Sequence, residues 1–110
     1  MPRLERLLAD ERVHLDPDLT LSRLARRLGV PAKALSAAIN RTYGESVSRV
    51  VNARRIGHAA RLIENGASVT TAMLESGFNT KSNFNREFLR LKGASPTQWL
   101  AARRAVPADR

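Results

Sequence analysis

Leu35, Ile39, Gly44, Ser46 and Val50 recur 49 residues later as Phe84, Phe88, Gly93, Ser95 and Trp99, with identical internal spacing. Self-similarity at a fixed offset means one supersecondary unit used twice. Upstream, Gly29 and Gly77 lie 48 residues apart, so the turn of the second copy holds one extra residue. Each copy reads as a short helix, a tight glycine turn, a second helix, and a Gly-x-Ser start to the next segment. A sharp reversal calls for glycine, and a second helix with one buried face leaves its other face free. That order of parts is a helix-turn-helix. The competing interpretation, an all-α bundle whose loops resemble each other by chance, has to account for five matched positions.

The rest of the chain agrees with an all-α fold of about seven helices, since Ala, Leu and Arg abound and no convincing strand is seen. Leu4, Leu7 and Leu8 make a short amphipathic helix, and Pro17 falls in the break after it. Thr20 can cap a helix through Leu21, Leu24, Ala25 and Leu28, and Pro31 can occupy the first turn of the next. Ser46 opens the longest pattern, through Val47, Val50, Val51, Ile56, Ala59, Leu62 and Ile63, with Asn65-Gly66 as its stop. Ser68 caps a short helix through Ala72, Met73 and Leu74. A further helix carries Phe84, Phe88 and Leu91 on its inward face, and Ser95-Pro96 starts a last one anchored by Trp99 and Leu100. The divisions are therefore 1–18 for an N-terminal helix and connector, 19–45 for the first helix-turn-helix and 46–66 for a linker helix. Residues 67–94 form the second helix-turn-helix, and 95–110 a C-terminal helix whose tail frays after Arg103. All belong to one domain. Gly57, inside the linker helix, costs about 1 kcal/mol of helix propensity or marks a close packing contact.

Nineteen Lys and Arg against ten Asp and Glu give a formal charge of +9, which draws the molecule to polyanions. With no cysteine and two histidines, disulfides and thiolate metal sites are excluded, and no cofactor or metal is expected. No apolar run approaches the roughly 20 residues of a membrane span, so a soluble, cytoplasmic chain is expected. No nucleophile sits with a plausible base and no phosphate-cradling loop is present, which argues against an enzyme.

These residues resemble the C-terminal DNA-binding domain of the AraC/XylS family of bacterial transcription regulators. The stretch from Leu21 to Val30 is similar to the family's first helix-turn-helix. Gly77 to Phe88, followed by Gly93-Ala94-Ser95-Pro96 and the aromatic Trp99, matches the family pattern far more specifically. Between them Asn52, Arg55, Ile56, Ala59, Leu62 and Ile63 resemble its linker helix, and the resemblance implies that Arg55 pairs internally and buttresses that helix. Ala72-Met73 departs from the family's bulky-then-small order, so the helices of the second unit are expected to cross differently. The wording from Ser82 to Phe88 is closest to a branch with a membrane-embedded N-terminal region. The resemblance also implies a sensing or dimerisation domain elsewhere in a full-length protein: the chain is either cut from a longer regulator or acts alone, as small family members do. RNA polymerase is a further partner to consider.

A helix-turn-helix lays its second helix in the major groove, where each base pair shows a distinct donor and acceptor pattern. With Phe84, Phe88 and Leu91 inward, Lys81, Ser82, Asn85 and Arg86 group on the other side, and Asn83 lies at the flank. Arg86 can pair in bidentate fashion with guanine, while Lys81 or Ser82 can serve base edges or phosphate. In the first unit Leu35 and Ile39 are buried, which leaves Lys33, Ser36, Ala37 and Asn40. That face is poorer in long side chains and either reads few bases, through Lys33, Ser36 and the methyl of Ala37, or mainly grips phosphate. Arg23, Arg26, Arg27, Asn40, Arg41, Thr80 and Arg90 are phosphate candidates, as are Arg49, Arg54, Arg61, Lys92, Arg103 and Arg104, and about half of these cations are expected to touch DNA.

Sequence-specific binding of double-stranded DNA, with two recognition helices in successive major grooves, is thus the leading expectation. A linker from Ser46 to Asn65 would be roughly 30 Å long, close to the roughly 34 Å between groove faces one turn apart. The alternatives are a basic helical module for RNA or an anionic membrane, or a protein-interaction adaptor. The aromatics speak against RNA stacking, because Phe78, Phe84, Phe88 and Trp99 all fall at core positions.

Overall fold

Small polar side chains start most of the helices, and each start can be read locally. In the computed structural model, which describes residues 2–11 and 13–105, seven α-helices are found and no strand among those residues. They are α1 (Pro2–Arg6), α2 (Leu21–Leu28), α3 (Ala32–Tyr43), α4 (Val47–Glu64), α5 (Val69–Glu75), α6 (Lys81–Lys92) and α7 (Pro96–Ala105). A π-helical turn, Leu7–Glu11, and a 3-10 turn, Val13–Leu15, follow α1. The hydroxyls of Thr20, Ser46, Ser68 and Thr80 accept the backbone N–H three residues on, at 3.1–3.3 Å, and so satisfy donors that the first helical turn leaves open. Ser95 and Gln98 do this reciprocally ahead of α7. Pro31 sits at the cap position of α3, one residue before the helix, with φ −64°. The fraying expected after Arg103 falls largely on residues 106–110, outside those described.

Two hydrophobic cores form, one for each unit. Leu4, Leu8, Val13, Leu24, Ala25, Leu28, Leu35, Ile39 and Val50 pack the first. The N-terminal segment is thus part of the first unit's core, and Arg3 Nη2 donates to the Leu28 carbonyl at 2.6 Å, closing the end of α2. Ile56, Ala59, Ala60, Ile63, Ala72, Phe78, Phe84 and Phe88 pack the second. Its aromatic rings meet edge to face or tilted, Phe78 to Phe84 to Phe88 to Trp99, with centroids 5.2, 5.7 and 5.5 Å apart. α4 belongs to both cores, giving Val50 to one and Ile56 onward to the other, and the molecule is elongated, 48 × 26 × 24 Å.

Three expectations change. Leu91, expected to point inward, is 37% exposed, because Trp99 covers the end of Phe88 and the last turn of α6 runs past the core. Leu74 is likewise 59% exposed, and Ala72 with Val69 and Met73 supplies the core contacts of α5. Gly57 marks no close packing contact: a Cβ there would meet only Arg61 Nη1, at 3.7 Å.

Candidate nucleic-acid interface

α2 and α3 form the first helix-turn-helix, α5 and α6 the second, and α4 spans them. At 1.5 Å per residue, the 18 residues of α4 extend about 27 Å. On α6, Lys81, Ser82 and Arg86 are exposed, while Asn83 and Asn85 are half-buried at the edge of that face. Arg86 Nη2 donates to Asn83 Oδ1 at 2.8 Å, so the guanidinium is held by a neighbour one turn back. Thr80 is exposed and spends its hydroxyl on the cap of α6. On α3, Lys33, Ala37, Asn40 and Arg41 are exposed and Ser36 is half-buried. Arg23, Arg26 and Arg27 are exposed on α2.

A cleft of about 360 Å³ separates the units, lined by Thr20 and Leu21 from the start of α2, Ser48 and Asn52 from α4, and Asn83 and Arg86 from α6. The start of the first unit and the free face of the second recognition helix therefore open on the same side of α4.

Arg90 and Arg103, both of the phosphate set, are engaged within the protein. Arg90 holds the Glu87 carboxylate with Nε and Nη2, at 2.9 and 3.0 Å, and lies 3.8 Å from Glu45. The Arg90 hydrogen bonds keep the Glu87 carboxyl below its ordinary range against the effect of its burial, with Asn52 helping. Arg103 pairs with Glu64 and lies over the Trp99 ring, 4.9 Å from its centroid, which ties α7 to α4. Arg55 is buried at the junction of the units: Nε donates to the His14 carbonyl at 2.6 Å and Nη2 to that of Asp16 at 2.9 Å. Burial lowers its pKa, and Asp16 works against that shift. Gly77 packs directly on this junction, where a Cβ would lie 2.8 Å from the His14 carbonyl oxygen.

Glu87 and Glu45 were not among the residues singled out from sequence. A signal was present, since Glu87 is the only acidic residue of α6, three residues before Arg90 and among Lys81, Arg86 and Lys92. A lone carboxylate on a helix facing a polyanion calls for an internal partner.

A family model described as a helix-turn-helix domain, of the AraC type, matches residues 24–102. The chain belongs to the AraC-type helix-turn-helix family. Members of this AraC-type family are DNA-binding transcription regulators and not enzymes. Over 79 residues, 71% of this chain and 29% of the other, it is 32% identical to the virulence regulon transcriptional activator VirF of Yersinia enterocolitica. The chain thus spans under a third of the length of the curated relatives it matches. The C-terminal domain of AraT, a response regulator from Geobacillus stearothermophilus, shares its fold, with a TM-score of 0.81 at 24% identity over 92% of this chain and 83% of that one. The DNA-binding domain of AdpA, solved in complex with a target DNA, superposes with a TM-score of 0.80 at 25% identity over 93% of both chains. Among the described residues of this AraC-type domain, no helix is long and apolar enough to cross a membrane.

Proposed function

We propose that the chain reads double-stranded DNA as a monomer, with α6 in one major groove, α3 in the next, and α4 as the strut that sets the gap. The cleft shared by α2, α4 and α6 carries this reading, because it puts the start of the first unit and Arg86 on one side of the linker. Two helix-turn-helix units of an elongated molecule, joined by a strut of about 27 Å, suit grooves about 34 Å apart on one face of a duplex.

Arg86 is assigned to a guanine edge, pre-oriented by Asn83, and Lys81, Ser82 and Asn85 to neighbouring bases or phosphates. Lys33, Ser36 and Ala37 are assigned to the other groove. Arg23, Arg26, Arg27, Asn40, Arg41 and the Thr80 end of α6 are assigned to phosphates, which position the protein without carrying sequence information. Arg90 is withdrawn from that set, because its guanidinium is engaged by Glu87. Because the strut is shorter than the groove spacing, the duplex is expected to bend, at a cost of about 1–6 kcal/mol that favours deformable steps in the target. A sensing or dimerisation domain and contact with RNA polymerase are assigned to a full-length regulator of the relatives' size.

Selection of bound duplexes from a random pool tests the reading. An enriched motif with two half-sites about one turn apart is expected, and it should outcompete bulk DNA, RNA and anionic vesicles at equal salt. Binding that follows polymer charge alone, with no enriched motif, overturns it.

A further inference from the structure

The two cores do not meet along α4. Val50 closes the first and Ile56 begins the second, and the turn of helix between them presents Val51, which joins neither cluster, with Asn52 and the buried Arg55. Apolar packing is non-directional, whereas hydrogen bonds have a preferred geometry. At this gap, where Val51 is the one buried apolar side chain, the polar contacts are the directional ones that fix the angle between the units.

We propose that Glu87 is a positioning residue for DNA recognition, a carboxylate that touches no base or phosphate but clamps α6 to α4 directly and, through Arg90, to the α3–α4 turn, and so fixes the gap between the recognition helices. The proposal rests on the two-groove reading of the domain. Glu87 Oε1 accepts from Asn52 Nδ2 at 2.9 Å and from Arg90 Nη2 at 3.0 Å, and Oε2 accepts from Arg90 Nε at 2.9 Å. Arg90 Nη1 lies 3.8 Å from Oε1 of Glu45, in the turn that joins the first unit to α4. From Asn52 the run continues, since its Oδ1 accepts from Arg55 Nη1 at 3.4 Å, and Arg55 grips the backbone ahead of α2.

A carboxylate on a recognition helix has one favourable use in the groove, accepting from the amino group of cytosine. Glu87 is turned away from that use: its side chain is 9% exposed and both oxygens are occupied. Turned inward and neutralised by Arg90 of its own helix, it does not repel phosphate, and its bond from Asn52 ties α6 to α4 while Arg90 carries the link on to Glu45. It lies one residue after Arg86, so a tilt of α6 at Glu87 moves the base-reading guanidinium directly.

The test remakes the duplex selected by the wild-type chain with one base pair added or removed between the half-sites, which shifts the second site by about 3.4 Å and about 35°. The wild type is expected to lose about tenfold or more on each altered duplex. Glu87→Ala, shown to be folded by circular dichroism, is expected to lose most of that discrimination, so that altered and selected duplexes bind nearly alike. Glu87→Gln, which keeps an acceptor for Asn52, should fall between. An unchanged ratio in Glu87→Ala, or an equal loss on every duplex, overturns the proposal. If Glu87→Ala does not fold, Asn52→Ala cuts the α4 arm together with the weaker Asn52–Arg55 contact and carries the same expectations. A wild type that prefers a duplex yet ignores spacing overturns the proposal and spares the DNA reading. One that prefers no duplex overturns both.

Discussion

The two helix-turn-helix units share a plan and differ in how they are built. The first has an aliphatic core, completed by Leu4, Leu8 and Val13 from outside the repeat, and a recognition helix rich in alanine. The second has an aromatic core and a recognition helix that presents Lys81, Ser82 and Arg86. Their turns differ as well. Gly29 ends α2 with φ +71° and open space where a side chain would go, whereas Gly77 follows the Ser76 cap of α5 with φ +92° and faces the His14 and Leu15 carbonyls. The difference fits the proposed division of labour, in which the second unit does most of the reading and the first supplies grip.

The turns give the sharpest contrast. Gly29→Ala adds only the left-handed backbone penalty, about 1–2 kcal/mol. Gly77→Ala adds the same penalty and forces a backbone oxygen 2.8 Å away to move, so a loss of about 2–5 kcal/mol is expected. Urea unfolding of both variants checks the difference. Equal losses would mean that the second unit is no more tightly seated than the first.

Binding should be lopsided in the same direction. Arg86→Ala is expected to cost about 1–3 kcal/mol on the selected duplex and to relax preference at one position. Lys33→Ala should cost less, and should weaken selected and random duplexes alike if the first unit mainly grips phosphate. Titrations on both duplexes at two salt concentrations separate these outcomes. A larger specific loss from Lys33→Ala would reverse the roles assigned to the units.

The clamp at Glu87 should appear in acid. Its folded pKa is depressed by Arg90 and Asn52 from an ordinary value of 4.5, so it stabilises the fold above that value and loses the contribution as pH falls through the lower, folded pKa. Glu87→Gln is expected to be less stable than the wild type by about 1.5 kcal/mol at pH 7. The gap should narrow below pH 4.5. Paired melts from pH 7 down to the acid limit of folding check this, and a gap that persists unchanged in acid would show that the charge is not what holds α6.

Much of the fold was legible because its signals are local. Thr20, Ser46 and Ser68 cap the helices they precede, and Gly29, Gly44 and Gly93 stop helices at left-handed positions, as the repeat implied. The buried faces of Phe84 and Phe88 followed from spacing alone. What spacing cannot give is where one element ends against another. Leu91 has the right period to be buried, but Trp99 closes the core before it. Arg90 reads as one more surface cation although its partner Glu87 lies only three residues back, and no spacing shows that α4 brings Asn52 to the same carboxylate from 35 residues away. The free face of α6 was readable as a set of residue types, yet which arginine is released to DNA depends on that packing.

The smallest effect concerns the strut between the units. Gly57 lies one residue past Ile56, where α4 passes from the first core to the second, and it costs a helix interior about 1 kcal/mol relative to alanine. No backbone or core atom occupies the space above it, and a methyl group would meet only the end of the Arg61 side chain at 3.7 Å. Gly57→Ala is therefore expected to stabilise the domain by about 0.5–1 kcal/mol, read as a higher urea midpoint with an unchanged slope. A stiffer strut should also leave the two units less able to adjust to each other, so the variant should penalise a one-base-pair change in half-site spacing at least as strongly as the wild type. If Gly57→Ala is more stable yet tolerates altered spacing better, the glycine is not a point of give, and the difference between the units lies wholly in their own cores.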